Sequence, residues 1–219
     1  MTSDGPVLVC FAVKEESRHF RGLAPALPSC EILVTGIGRR NAESSLRRAL
    51  TTLSPRLVVS SGFAGGLNPQ LNAGAVVFDA LPESWLLPAL RGAGAVSARF
   101  HCAERIVSTS AEKLELWRTT GADAVDMESA AIRGICETRS IANATVRIIS
   151  DTAHEDLALD FNRVMTPEAG LNYFKLACAL AKSPAILPKL WRFRGRIDEI
   201  GAKLAHVLSD VLKAPMPPG

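Results

Sequence analysis

The sequence predicts an α/β fold: a three-layer αβα sandwich around a central sheet that is mostly parallel or mixed. Three observations predict it. Continuous apolar runs rich in β-branched residues alternate with segments of helical periodicity, the pattern of strands covered by helices on both faces. Hydrophobic residues make up 47% of the 219 and aromatic residues 5%, as in cores built from Ala, Val, Ile and Leu. Glycine-rich or acidic clusters follow the apolar runs, and open α/β sheets bind ligands at the carboxyl ends of their strands.

The elements are justified in turn. Residues 7–13 (Val-Leu-Val-Cys-Phe-Ala-Val) read as a strand buried on both faces, followed at once by charge and a helix. Residues 31–35 form a second strand, broken by Gly36-Ile-Gly38. Residues 41–53 carry Ala42, Leu46, Ala49, Leu50 and Leu53 at helical spacing. Residues 56–60 are a third strand running into Gly62-Phe-Ala-Gly-Gly-Leu67, with further strands at 75–78, 105–108 and 145–149. Residues 81–94 are the long loop candidate, and 128–137 read as a helix. Beyond Pro167 the chain is helical, over 169–182 and, after Ser183-Pro184, over 189–213. The whole, 1–219, is one domain with a helical extension from about residue 184.

Composition narrows the function. A net charge of +3, with Lys and Arg scattered among nearly as many Asp and Glu, does not imply nucleic acid. Five cysteines without a C-x-x-C pair suggest buried thiols in a reducing cytoplasm, and no span is long enough for a signal sequence or membrane helix. Gly36-Ile-Gly38 begins like a dinucleotide fingerprint, but Asn41 replaces the third glycine. His154-Glu155 lacks the second His of a zinc-peptidase helix, no G-x-S-x-G elbow is present, and no metal or cofactor is expected.

Four segments at predicted strand ends remain: Lys14-Glu-Glu16, Ser61 to Leu67, Asp126-Met-Glu-Ser129 and Ser150-Asp-Thr152. The strings Gly62-Phe-Ala-Gly-Gly-Leu67, Val125-Asp-Met-Glu-Ser-Ala-Ala131 and Ile148-Ile-Ser-Asp151 resemble, in order and spacing, those of methylthioadenosine/S-adenosylhomocysteine nucleosidases and related nucleoside phosphorylases. The resemblance implies cleavage of the N-glycosidic bond of a purine-type nucleoside. It makes Asp151 the group that protonates or hydrogen-bonds purine N7 and Glu16 the group that orients the attacking water. Glu128 accepts the ribose 2′- and 3′-hydroxyls and Met127 packs on the sugar. Ser61, Phe63, Ala64, Gly65 and Gly66 line the ligand. It also implies a homodimer.

N-glycosidic cleavage needs such a set: a held ribose, an acid for the departing base, and a nucleophile beneath an oxocarbenium-like sugar. Arg39 and Arg40, at a predicted helix start, form a candidate anion site, with phosphate as a possible co-substrate. A non-catalytic nucleoside-binding protein on the same fold is the alternative. The adenine-specific nucleosidases stack a Phe on the base, but residues 108–113 contain no aromatic, which argues against methylthioadenosine as the preferred substrate. Residues 116–129 and 183–188 are more similar to the hopanoid-associated phosphorylase branch, and the basic tail around Trp191 and Phe193 would suit a membrane surface.

Overall fold

The structure is a computed structural model and describes residues 5–27, 29–81, 84–157, 159–163 and 187–214. The elements run β1 (Val7–Phe11), α1 (Lys14–Leu23), β2 (Cys30–Val34), α2 (Arg39–Ala49), β3 (Leu57–Gly66), β4 (Val76–Ala80), α3 (Leu87–Gly92), β5 (Val96–Ser97), β6 (Phe100–Cys102), α4 (Ser110–Thr120), β7 (Ala124–Asp126), α5 (Ser129–Thr138), β8 (Ala142–Asp151) and α6 (Leu187–Lys213). The sheet order is β2-β1-β3-β8-β4-β5, with β7 on β3 and β6 on β7. It is mixed and mostly parallel: β4 runs antiparallel to β8, and β7 antiparallel to β3.

Alternation along β1 makes the three layers. Val7, Val9 and Phe11 pack with Phe20 of α1, Leu90 of α3 and Leu204 and Leu208 of α6. Leu8 and Cys10 point the other way, onto Ala42 and Leu46 of α2 and Ile132, Ile135 and Cys136 of α5. A strand whose successive side chains both need cover is continuously apolar.

Several expectations are corrected. The third strand does not end at residue 60: β3 continues through the glycine string to Gly66, paired to β8 as far as Gly65 with one irregularity at Ala64/Gly65 and to β7 at Gly65 and Gly66. Residues 105–108 are not a strand; the Ile106 N–H donates to Asn162 Oδ1 at 3.0 Å instead of to a neighbouring strand. The strand of this region is β6, which pairs with β7. The long loop at 81–94 contains α3, and α4 was not anticipated. The expected helix over 169–182, the break at Ser183-Pro184 and most of the 183–188 motif lie outside the described residues. Among the described residues no helix is long and apolar enough to cross a membrane.

Candidate functional site

Residues at the carboxyl ends of β1, β3, β7 and β8 meet around one cavity, and three of the four ends bring buried carboxyl groups: Glu16 after β1, Asp126 and Glu128 at β7, and Asp151 at β8. Glu16 sits in the first turn of α1 and reaches back to accept the N–H groups of Ala12 (2.9 Å) and Val13 (3.3 Å), the glutamate half of a capping box. Its other oxygen accepts the Phe63 N–H of β3 at 2.9 Å. Burial pushes the Glu16 carboxyl above the usual carboxylate range, against the opposing pull of Arg147 and of these three N–H groups.

Arg147 organises the floor. It is 1% exposed, in the middle of β8, and contacts Asp126 Oδ2 (2.8 Å), Glu128 Oε2 (3.4 Å), the Ser61 carbonyl (3.0 Å) and Ser60 Oγ (3.2 Å). Asp126 also accepts the Ser129 N–H (3.2 Å) and hydroxyl (2.7 Å), which fixes the start of α5. Glu128 precedes α5, and its Oε1 accepts the Gly38 N–H at 2.7 Å, so the turn before α2 joins the site. Burial pushes the Glu128 carboxyl up to about 7; Asp126 and Glu16 add to the rise and Arg147 opposes it. One guanidinium serves three carboxyl groups, and burial decides the balance.

Gly62 makes this packing possible. Its φ is +135°, and a Cβ there would lie 2.5 Å from Glu16 Oε1 and 2.7 Å from Arg147 Nη1. A side chain has no room between the two ionic groups.

At the end of β8, Asp151 is 5% exposed and lies between two side chains: Ser150 Oγ is 2.5 Å from Oδ1 and Lys113 Nζ is 2.5 Å from Oδ2. Lys113 comes from α4 and is wholly buried.

Above this arrangement lies a cavity of about 270 Å³, lined among others by Asp126 and Ser150. Glu16, Phe63, Ala64, Gly65, Met127, Glu128 and Asp151 all border it, so most of the residues singled out from sequence come together. Residues 105–107 form one wall, and Leu157, Phe161 and Phe193 another. Phe193 of α6 packs on Phe161 with ring centroids 6.4 Å apart, while Arg196 lies over the Phe193 ring and pairs with Glu155 at 2.8 Å. Phe193, expected as part of a basic tail face, therefore borders the cavity, and Arg196 packs against it. Trp191 is 74% exposed.

Four expected residues do not border the cavity. Ser61 is buried within β3, with its carbonyl bonded to Arg147. Gly66 packs against the Asp151 backbone, where a Cβ would meet the Asp151 carbonyl at 3.2 Å. Arg39 and Arg40 are exposed in the first turn of α2, and Arg39 faces Glu43 at 3.5 Å. From the segment just before α2, Ile37 borders the cavity. Residues 108–113, read for a missing stacking aromatic, supply none of the cavity wall; the aromatic surface comes from Phe63, Phe161 and Phe193.

Arg147 and Lys113 were missed, and Asp126 was named in its strand-end segment without a role. The signal for Arg147 was a charge inside an otherwise buried apolar strand, which needs a partner; α4 offers no such apolar face around Lys113.

A family model of the phosphorylase superfamily matches residues 18–78 and 90–182, well over half of the chain. A curated 5′-methylthioadenosine/S-adenosylhomocysteine nucleosidase of Shewanella piezotolerans is 25% identical over 198 residues, covering 73% of this chain and 85% of that protein. Among solved structures, futalosine hydrolase of Helicobacter pylori matches with TM-score 0.70 at 16% identity, covering 97% of this chain and 99% of the other. The 5′-methylthioadenosine/S-adenosylhomocysteine nucleosidase of Neisseria meningitidis, in complex with methylthio-immucillin-A, matches with TM-score 0.69 at 18% identity, covering 96% and 100%.

Proposed function

The chain belongs to the phosphorylase superfamily, and on that premise we propose that it hydrolyses the N-glycosidic bond of a purine-type nucleoside. The observation that carries this reading is the meeting of Glu16, Glu128 and Asp151 around one cavity floored by small residues, Ala64 and Gly65. Glu128 accepts the ribose hydroxyls, which hold the sugar. Asp151 hydrogen-bonds the base at purine position 7 and stabilises it as it departs, and Glu16 aligns the water that attacks the anomeric carbon and takes up its proton.

Hydrolysis is favoured over phosphorolysis on charge. Asp126, Glu128 and Glu16 surround Arg147, Lys113 is paired with Asp151, and Arg105 on the cavity wall is paired with Glu112, so each of these cations is matched by a carboxylate. A phosphate dianion there meets carboxylates, and unit charges 4 Å apart repel by about 4 kcal/mol at an effective dielectric near 20. Arg39 and Arg40, the candidate anion site, face solvent.

A nucleoside panel assayed with and without phosphate tests the proposal. Free sugar formed at a phosphate-independent rate supports it. Strict dependence on phosphate, with sugar 1-phosphate as product, overturns the hydrolytic assignment, and tight binding without turnover replaces the enzyme with a nucleoside-binding protein.

With carboxylates on the floor, the wall of Leu157, Phe161 and Phe193 offers an apolar surface to a 5′-substituent. Lengthening a 5′-methylthio group to 5′-butylthio is therefore expected to raise kcat/KM about tenfold, less than the full transfer energy of three methylenes. Phe193→Ala is expected to remove most of that gain. Equal kcat/KM for both substrates in the unaltered protein would place the 5′-group elsewhere.

A further inference from the structure

Residues 187–197 carry Lys189, Arg192, Arg194 and Arg196 and no acidic residue, although the whole chain holds 22 acids against 25 Lys and Arg. The excess of positive charge is gathered here, and the rest of the chain is near balance. The structure divides this stretch between two faces of α6. Phe193 turns inward to Phe161 and the cavity, and Arg196 pairs with Glu155 at 2.8 Å. Leu187 and Trp191, one helical turn apart, share the other face, at 42% and 74% exposure. They are two of the four exposed large apolar side chains among the described residues, and the only such pair at helical spacing. Arg192 and Arg194 are exposed on either side of this ridge.

The acids around it are mostly engaged. Asp198 meets Arg18 at 3.2 Å and His19 at 2.9 Å on α1, and Glu155 is held by Arg196. Glu199 is exposed further along α6, and Glu15 borders a groove of about 510 Å³ between α1 and α6 that Trp191 and Arg194 also line. What Leu187–Arg194 presents to the outside is therefore apolar along the ridge and cationic on its flanks.

An exposed Leu–Trp pair rimmed by cations complements a surface that is apolar inside and anionic outside. Indole suits such a boundary, because its ring is apolar while its N–H can stay hydrated. A second copy of this chain seated on the same patch would bring like charges together. Among the described residues no helix is long and apolar enough to cross a membrane, so the contact lies on the surface.

We propose that Leu187–Gly195 of α6 is a peripheral docking surface for an anionic phospholipid bilayer, with Leu187 and Trp191 entering the headgroup boundary and Arg192 and Arg194 meeting lipid phosphates. The proposal goes beyond the reading of the cavity and holds whatever the cavity binds. It places the wall formed by Phe193 across one helix from the membrane, about 10 Å.

Flotation of the full chain with vesicles of phosphatidylcholine containing about 30% phosphatidylglycerol, against vesicles of phosphatidylcholine alone, tests it. Binding to the anionic vesicles is expected to be at least about tenfold tighter, and to fall as salt rises from about 0.1 to 0.5 M. Trp191→Ser is expected to weaken it about tenfold. Arg192→Ser/Arg194→Ser is expected to weaken it about twentyfold, the effect of two cations at a charged surface. These side chains are exposed, so both variants are expected to keep the parent Tm. Arg47→Ser/Arg48→Ser, which removes the same charge from the exposed last turn of α2, is the control and is expected to bind as the parent does. Brominated acyl chains are expected to quench indole fluorescence in the parent and not in Trp191→Ser, where the partly buried Trp85 and Trp117 remain.

Equal loss in the Arg47/Arg48 control would reduce the binding to net charge, and undiminished binding in Trp191→Ser would remove the docking surface. Absence of binding at low salt, or preference for a single-stranded oligonucleotide over the vesicles, would likewise overturn the proposal.

Discussion

Glu128→Gln is expected to lower kcat/KM at least about a hundredfold and, at the same time, to make the protein more stable than its parent at pH 8. On the proposed reading, the loss of rate follows from the removal of a carboxylate that would accept two ribose hydroxyls, the scale usual for a positioned charged group. The gain in stability follows from linkage. Burial lifts the Glu128 carboxyl from 4.5 to about 7. A carboxyl raised in the folded state binds its proton more tightly there than in the unfolded chain. Its contribution is fully present below about pH 4.5 and is lost as pH rises through about 7. By pH 8 the parent has given up on the order of 3 kcal/mol that the glutamine variant, being neutral, never loses. Urea unfolding at pH 5 and pH 8 measures it: the parent falls more steeply across that interval. A variant less stable than the parent at pH 8, or one with undiminished turnover, would contradict the placement of Glu128 as a buried ligand-facing carboxyl.

On the proposed reading the same carboxyl is expected to give kcat/KM an acid limb: ribose hydroxyls would donate to its ionised form, so a pH–rate profile is expected to fall as pH drops below about 7.

What was legible in the sequence depended on how each residue announces its surroundings. Residues 7–13 and 56–60 read as buried strands because nothing polar interrupts them. The continuation of β3 through Gly66 could not be read that way, since glycine carries no side chain to reveal a strand and is depleted in strands generally. Only the pairing to β8, in register to Ile149, reveals it. Helix α4 lacks a clear apolar stripe, yet its start was written in Thr109 and Glu112: the Thr109 side chain accepts the Glu112 N–H at 3.3 Å.

Among the site residues, Glu16, Glu128 and Asp151 stood out because they follow apolar runs at strand ends. Arg147 did not, because it lies inside such a run, and the periodicity that identified residues 145–149 as a strand also disguised the one charge within it. Lys113 was hidden for a different reason. Its partners, Asp151, Thr152 and Glu155, are about forty positions away along the chain, and only the docking of α4 against the end of β8 joins them.

Gly62→Ala is expected to lower activity at least about a hundredfold and to cost about 2–4 kcal/mol of stability, although it adds a single methyl group. The φ of +135° already disfavours any side chain. The added carbon would also lie 2.5 Å from Glu16 Oε1 and 2.7 Å from Arg147 Nη1. Neither atom is free to yield. Glu16 is held by the N–H groups of Ala12, Val13 and Phe63, and Arg147 by Asp126, Glu128, Ser60 and Ser61. Moving either breaks hydrogen bonds to buried charged groups, and both belong to the floor on which the sugar would rest. Gly134→Ala, at a helical position where a Cβ meets nothing within 4 Å, is the control and is expected to be neutral or stabilising. The decisive comparison is the double variant Gly62→Ala/Glu16→Ala. Removing the Glu16 carboxylate relieves one of the two collisions, so the double variant is expected to be more stable than the sum of the two single changes, by about 1–2 kcal/mol, while activity stays lost. Strict additivity of the two stability changes would mean that Gly62 and Glu16 do not compete for the same space, and near-parental turnover in Gly62→Ala would remove the buried Glu16–Arg147 arrangement from the functional site.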